Sequence, residues 1–439
     1  MRNSNVIRTV LVLVLLLPAA PAVAQLGNPV PQAVGMGGNY TAIARGFGAA
    51  YWNPAGLGMP DNPGMSLSIL PAASTMGLDP ISPVDFAEFD GEVIPHQTRE
   101  EWLDLIRENG GEAGRFGADL SYIALSIGPV ALQASSNVRS RANVSPDVAE
   151  VFLFGNAGLT GEPRDYTLDG SEFDVAGTTT VAASLAIPLP LSLGLLPDQH
   201  FAVGATLKYT MGNFLVLGRE SGSTFSTDPV EANVVFPVIH TRFPDDSTGV
   251  SASEAFDNGR GIGLDVGAAW QGGIFSAGVS VRNLVNTFEW DLTDLQYREG
   301  EATWTADTAF TSFEEMPAEE APAQLLERIG DLYEFPPILS AGAAARVLPF
   351  LTVTGEVRHA IKENLDVGER NHMGVGAELT ILPFLPIRAG AAVISGGYQL
   401  TGGLGLRLGG AQLAASLGMR DSDTGTDTVG ALGLTFGLP

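Results

Sequence analysis

The stretch "LTVTGEVRHA" at 351–360 alternates with a period of two. Leu351, Val353, Gly355 and Val357 fall on one side, and Thr352, Thr354, Glu356 and Arg358 fall on the other. That period describes a strand with one apolar and one polar face, not a helix. The same pattern recurs in "GIGLDVGAAW", "FSAGVSVRN", "MGVGAELT", "PIRAGAAVI", "LTGGLGLRL" and "LAASLGMR", with Glu378, Arg388, Arg407 and Arg420 on the polar side. It predicts fourteen strands, at about 64–72, 116–127, 129–138, 172–187, 200–217, 259–270, 274–286, 335–347, 351–361, 371–381, 387–395, 398–408, 411–421 and 427–438. The connections decide what these strands build. After the even-numbered strands they are short, as in "GP", "QGG", "LPF" and "GG". After the first, third, fifth and seventh they are long, about 73–115, 139–171, 218–258 and 287–334. A soluble sandwich has no reason to sort its loops by length. An even strand number with short turns at one end and long loops at the other is the plan of a transmembrane barrel with both termini in the periplasm. The expected fold class is all-β: a 14-stranded antiparallel transmembrane β-barrel over 63–439.

The first 24 residues carry Arg2 and Arg8, an apolar "VLVLVLLLP" and a small-x-small "AVA" ahead of Gln25. They are expected to be a secretory signal peptide, since the apolar run is too short for a membrane helix. With no cysteine in the chain there is no disulfide or thiolate chemistry. A net charge of −26 disfavours nucleic acid, whose binding needs neutralising Lys and Arg. The expected surroundings are therefore an outer-membrane lipid bilayer and no nucleic acid.

Between leader and barrel, 25–62 contains "GMGGNYTAIARGFGAAYWNPAGLG", too rich in glycine for a stable helix and too irregular for a strand. Small residues let a chain pack closely inside a lumen, and glycine also takes positive φ. Pro54 pushes Asn53 out of the helical region, and the Asn53 side chain can bond the local backbone and fix a kink. Tyr51 and Trp52 supply bulk. The segment is expected to be a lumenal hatch, with Gly35, Gly37, Gly38, Tyr51, Trp52, Asn53, Pro54 and Ala55 as its gating residues.

Catalytic signatures are missing, and neither an enzyme nor a cofactor is expected. "GVGAEL" and "GLGLRL" lack the third glycine of a dinucleotide fingerprint and lie in alternating strand. His359 and His372 sit on neighbouring strands but have opposite parity, so they should face opposite sides of the wall, which argues against a metal. The polar side of the wall, Lys208, Asp265, Arg282, Glu356, Arg358, Glu378, Arg388, Arg407 and Arg420, has two readings. It is a salt-bridge network that stiffens the lumen, or some of its cations, with Lys208, Arg282, Arg358 and Arg388 as candidates, receive an anionic head group. In the long loops, "REEWLDLIREN" and "EAPAQLLERIGDLY" are predicted helices with apolar stripes. They cap the barrel mouth or line an entrance through Trp102, Leu105, Leu326 and Ile329.

The opening segment, through Gly37, Gly38, Ala42, Asn53, Pro54 and Ala55, resembles the amino-terminal hatch of the FadL/TodX group of outer-membrane transporters for hydrophobic compounds. It is similar also to PorV-type barrels of type IX secretion, which share the "GMG…WNPA" style. The first resemblance implies passive uptake of long-chain fatty acids or other hydrophobic small molecules, gated by the hatch. The second implies a barrel whose acidic outer loops hold a secreted protein partner.

Overall fold

The computed structural model describes residues 27–438, apart from 29, 156, 163, 192–195, 197, 228–229, 243–256, 306–308, 313, 334, 363–369 and 423–424. The expected signal peptide at 1–24 lies outside the described residues.

Fourteen strands form the wall: β1 (Met65–Asp79), β2 (Glu112–Ile127), β3 (Val130–Val144), β4 (Glu172–Leu189), β5 (His200–Arg219), β6 (Gly259–Gly272), β7 (Phe275–Asn286), β8 (Ile338–Leu348), β9 (Leu351–Ala360), β10 (Asn371–Leu382), β11 (Leu385–Ile394), β12 (Gly397–Leu408), β13 (Ala411–Ser422) and β14 (Gly425–Leu438). Each pairs antiparallel with the next. The barrel closes where β1 pairs with β14, from Met65↔Leu438 to Leu78↔Thr426, so the wall has no free edge.

All fourteen expected strands are present, but the first hairpins are taller than the alternation predicts. β1 runs on to Asp79, β2 begins at Glu112 and β3 continues to Val144. These outward ends break the apolar alternation, yet Leu78↔Gly114 and Gly114↔Ala142 keep the ladder zipped. β1 carries a register shift between Ile69 and Ala72, with Leu70 at φ 50° and Pro71 beside it. Proline cannot donate to the ladder, and a bulge accommodates it.

The orientation of the two faces is inverted relative to a soluble sheet. Val357, Met373, Val375, Val393, Leu404, Leu417 and Leu432 point outward and are each more than half exposed. Thr354, Glu356, His372, Arg388, Gln399, Ser416 and Asp427 are buried on the inner face. His359 is exposed while His372 is buried, as their parity requires.

Inside the wall, residues 27–62 form short helical turns joined by irregular chain: Pro31–Gly35, Gly46–Gly48, Ala49–Trp52 and Pro54–Gly58. At the long-loop end the chain folds further than expected. Within the expected loops 139–171, 218–258 and 287–334, Val238–Thr241 pairs with β5 and with Leu295–Arg298, and a separate five-stranded sheet forms from 166–167, 224–227, 230–235, 301–304 and 309–312. Leu215, Leu217, Ile239, Phe288, Trp290, Leu295, Leu325 and Ile329 close over a common core. Arg328 pins the helix Ala323–Tyr333 to β4 through Asp174 at 2.7 Å and Glu172 at 2.8 Å.

A second loop core holds Ile81, Trp102, Ile106 and Ala149 between the helices His96–Asn109 and Pro146–Phe154, the latter unforeseen. Glu150 joins them, with Arg107 at 2.8 Å and Arg164 at 2.5 Å. Burial alone raises the Glu150 carboxyl, but the hydrogen bonds from Arg164 and Leu159 N–H outweigh it and hold it below the usual carboxylate value. A lowered folded pKa contributes stability above the unfolded value and loses it as pH falls through the folded one. Hydrogen exchange across 146–168 is therefore expected to quicken, beyond the intrinsic pH effect, on acidification below about pH 4, while the barrel strands keep their protection. Unchanged protection down to about pH 2 would show the cluster to be irrelevant.

Candidate functional site

Asn53 is the pivot of the inner segment. Its backbone is extended, at φ −163° and ψ 102°, between the turns Ala49–Trp52 and Pro54–Gly58. The residue is fully buried. Its Oδ1 accepts Ala55 N–H at 3.2 Å, capping the second turn. Its Nδ2 donates to Thr41 O at 3.3 Å and to Ala268 O of β6 at 3.1 Å. One side chain thus ties two parts of the segment to each other and to the wall.

The wall makes room by leaving out side chains. A Cβ on Gly267 would collide with Asn53 and Pro54, and one on Gly278 would come within 2.7 Å of Asn53 Nδ2. Farther round the wall, a Cβ on Gly390 would collide with Met36 and Gly37, and one on Gly403 would lie 3.2 Å from the Gly35 Cα. These wall glycines belong to the site and were missed by motif reading. The available signal was their position on the buried parity of strands otherwise built of Ser, Thr and charged residues.

Further anchors are side chains of the wall acting on the segment's backbone. Ser416 donates to Pro31 O at 2.7 Å, Thr401 to Gly35 O at 3.2 Å, Thr206 to Ala50 O at 3.2 Å and Ser280 to Trp52 O at 3.0 Å. Glu356 Oε2 accepts the N–H groups of Tyr40 and Thr41, both at 2.9 Å. Irregular backbone buried in a barrel must find such partners.

The expected gating residues cluster as follows. Gly37 and Gly38 take φ +70° and +78°. Trp52 is buried edge-on to Tyr51 and Tyr40, at 5.2 and 6.0 Å between ring centroids. Ala55 is fully buried against Ala202 and Ala269.

The four lumenal candidates do not form one site. Lys208 is buried in an ion pair with Asp265 at 2.6 Å. Arg388 pairs with Glu378 at 2.6 Å, and Arg407 shares that carboxylate at 3.3 Å. Arg282 and Arg358 instead face the segment: Arg282 lies 4.7 Å over the Tyr51 ring and Arg358 5.5 Å over Trp52. Of the loop candidates, Trp102 and Ile329 are closed into loop cores, Leu326 packs against one of them, and Leu105 is 47% exposed. Among the described residues no group of three His, Cys, Asp or Glu could hold a metal ion.

Replacing Asn53 by Ala removes the cap and both carbonyl contacts, a loss of about 1–3 kcal/mol. Exchange of the amides at 54–58 should then quicken by roughly 10- to 100-fold, with the barrel still resistant to SDS. Loss of the folded barrel in this variant would instead make Asn53 an assembly residue.

No family model and no curated protein sequence matches the chain. Solved structures do. The Ralstonia pickettii toluene transporter TbuX is 12% identical, with 93% of this chain and 98% of that one covered, at a TM-score of 0.50. The Pseudomonas putida toluene transporter TodX is 13% identical over 94% and 98%, at 0.46. A Pseudomonas aeruginosa FadL homologue is 11% identical over 96% and 100%, at 0.45. At such identities the likeness is one of fold, and the TbuX match carries it: this closed 14-stranded barrel shares its fold with that toluene transporter.

Proposed function

We propose that the chain is an outer-membrane channel for passive entry of hydrophobic small molecules, with residues 25–62 as its hatch. The observation that carries this reading is the inverted wall. Outward apolar side chains ring the whole barrel, far beyond the few hundred Å² of contiguous apolar surface that a soluble monomer tolerates. A bilayer in the outer membrane of a Gram-negative-type bacterium is the solvent that suits it. Short turns and both strand termini lie at one end, the periplasmic end in this reading, and the folded loops face outward.

The lumen of such a barrel is crossed by a segment held at Pro31, Gly35, Tyr40, Thr41, Ala50, Trp52 and Asn53. Free diffusion of water and ions does not fit that filling, which sets the chain apart from a general porin. Apolar passengers would meet the loop cores and Leu105 first, then the ring pair Tyr51 and Trp52. A sideways exit through the wall would favour the bulge at Leu70–Pro71, where the ladder is broken on both sides. Long-chain fatty acids and small aromatic hydrocarbons are the two passenger classes to compare. The alternative reading, a secretion barrel holding a protein partner, rests on the shared "GMG…WNPA" style and the acidity of its loops.

Uptake by a deletion strain complemented with this chain, or with empty vector, tests the proposal. Labelled oleate or toluene should enter several-fold faster in the complemented cells, without dependence on ATP. Equal uptake of both compounds in the two strains would sink the channel reading.

A further inference from the structure

Toward the short-turn end of the inner wall, side chains of β10 to β13 form a ring that is open at one place. Glu378 of β10 accepts from Arg388 of β11, its Oε2 taking Nε at 2.7 Å and Nη2 at 2.6 Å. Its Oε1 accepts from Arg407 Nη2 of β12 at 3.3 Å. Arg407 Nε in turn donates to Gln412 Oε1 of β13 at 3.1 Å. That bond fixes the amide: a guanidinium offers only donors, so Gln412 gives it the oxygen and turns its NH2 elsewhere. Two groups are left over, Arg388 Nη1 and Gln412 Nε2, both buried and both without a hydrogen-bond partner. Each is a donor, so neither satisfies the other.

Both donors border one point. A Cβ on Gly405 would stand 3.2 Å from Arg388 Nη1, 3.2 Å from Gln412 Nε2 and 2.7 Å from Pro386 Cγ. Gly405 is not among the positive-φ glycines, so its backbone does not call for glycine. It differs also from Gly267, Gly278, Gly390 and Gly403, whose missing side chains make room for the inner segment. The atoms nearest its own missing Cβ belong to Pro386, Arg388 and Gln412. What Gly405 clears is the space between the two donors.

Charge decides which acceptor suits that space. Two guanidiniums share one carboxylate, so the ring carries one positive charge in excess. Unused donors on a buried guanidinium are costly. A negatively charged acceptor relieves that cost more than a neutral one, because charge-assisted hydrogen bonds are the stronger. The gap left by one missing side chain calls for a single acceptor atom, a halide or one oxygen of a carboxylate. The Arg388 side chain is 1% exposed and that of Arg407 37%, so the ring meets solvent on the Arg407 side.

We propose that Arg388 Nη1 and Gln412 Nε2, facing each other across the space left by Gly405, bind one small monovalent anion. The anion closes the ring Glu378–Arg388–Gln412–Arg407 and balances its charge. This site stands whether or not the barrel is a channel, since it needs only the wall.

Two measurements on the full chain in micelles of uncharged detergent distinguish the sources of such an anion. Chloride is followed by the broadening of its own resonance, and acetate by saturation transfer from the protein to its methyl group. At least one of them should give a saturable signal. Gln412→Glu keeps an acceptor for Arg407 and supplies Arg388 with a built-in one, so it should weaken that signal by about ten-fold or more. Gly405→Ala, which fills the space, should do the same. Both variants are compared as SDS-resistant barrels, and Gln412→Glu adds no bulk at the Gly405 position. A chloride signal lost in Gln412→Glu assigns the site to a halide, an acetate signal lost there assigns it to a carboxylate, and competition between them assigns it to both. No saturable signal from either anion, or signals unchanged in Gln412→Glu, would overturn the site and leave the two donors to water.

Discussion

A polar inner wall must find hydrogen-bond partners, and this demand organises the molecule. The strands turn Thr, Ser, Glu and Arg inward and Val, Leu and Met outward, and the apolar cluster inside the wall, Val30, Ala49, Trp52 and Leu57 against Ala131, Ala182 and Ala186, draws its large side chains from the inner segment. What fills the centre is a stretch of irregular backbone. Its carbonyls and N–H groups are the partners the wall needs, and the wall's hydroxyls and carboxylates are the partners the backbone needs. Neither is a good structure alone. Together they account for Ser416 on Pro31, Thr401 on Gly35, Glu356 on Tyr40 and Thr41, and Asn53 on Ala268.

Glycine follows from that reciprocity. Gly weakens a strand, and a barrel with so many looks poorly built until the inner segment is in place. Gly267 and Gly278 then prove to be the space into which Asn53 and Pro54 fit, and Gly390 the space for Met36 and Gly37. Charge is handled in the same way. Lys208 with Asp265, and Arg388 and Arg407 with Glu378, are closed pairs of the wall, whereas Arg282 and Arg358 are spent on aromatic faces of the segment.

The alternation in "LTVTGEVRHA" and its relatives was sufficient for the barrel, because register in a two-faced wall is set by the side-chain period. It failed where the two faces stop differing. The outward ends at Leu78–Asp79 and Glu112–Ala113 rise beyond the apolar band, and nothing there needs an apolar side. The small sheet that includes Val230–Val235 and Glu301–Trp304 was hidden for another reason: its strands pair across the 218–258 and 287–334 loops, and short runs in acidic surroundings carry little periodicity. Asn53 and Pro54 were legible from local chemistry, since a capping amide before a proline implies a kink. Which wall residues they meet was not, because contacts between residues more than 200 positions apart leave no mark in a local pattern. The loop stripe at Trp102 and Ile329 was visible as amphipathic helix, but an apolar stripe is the same whether it faces a passenger or a neighbouring helix. Here both residues face neighbours.

If residues 27–62 fill the lumen, ion conductance across a planar bilayer reads it out. The intact protein should be nearly silent to small ions, and a variant lacking 27–62 but still folded as an SDS-resistant barrel should open a steady pore of high conductance. An intact protein that already conducts as freely as the deletion variant would show that 27–62 leaves the lumen open.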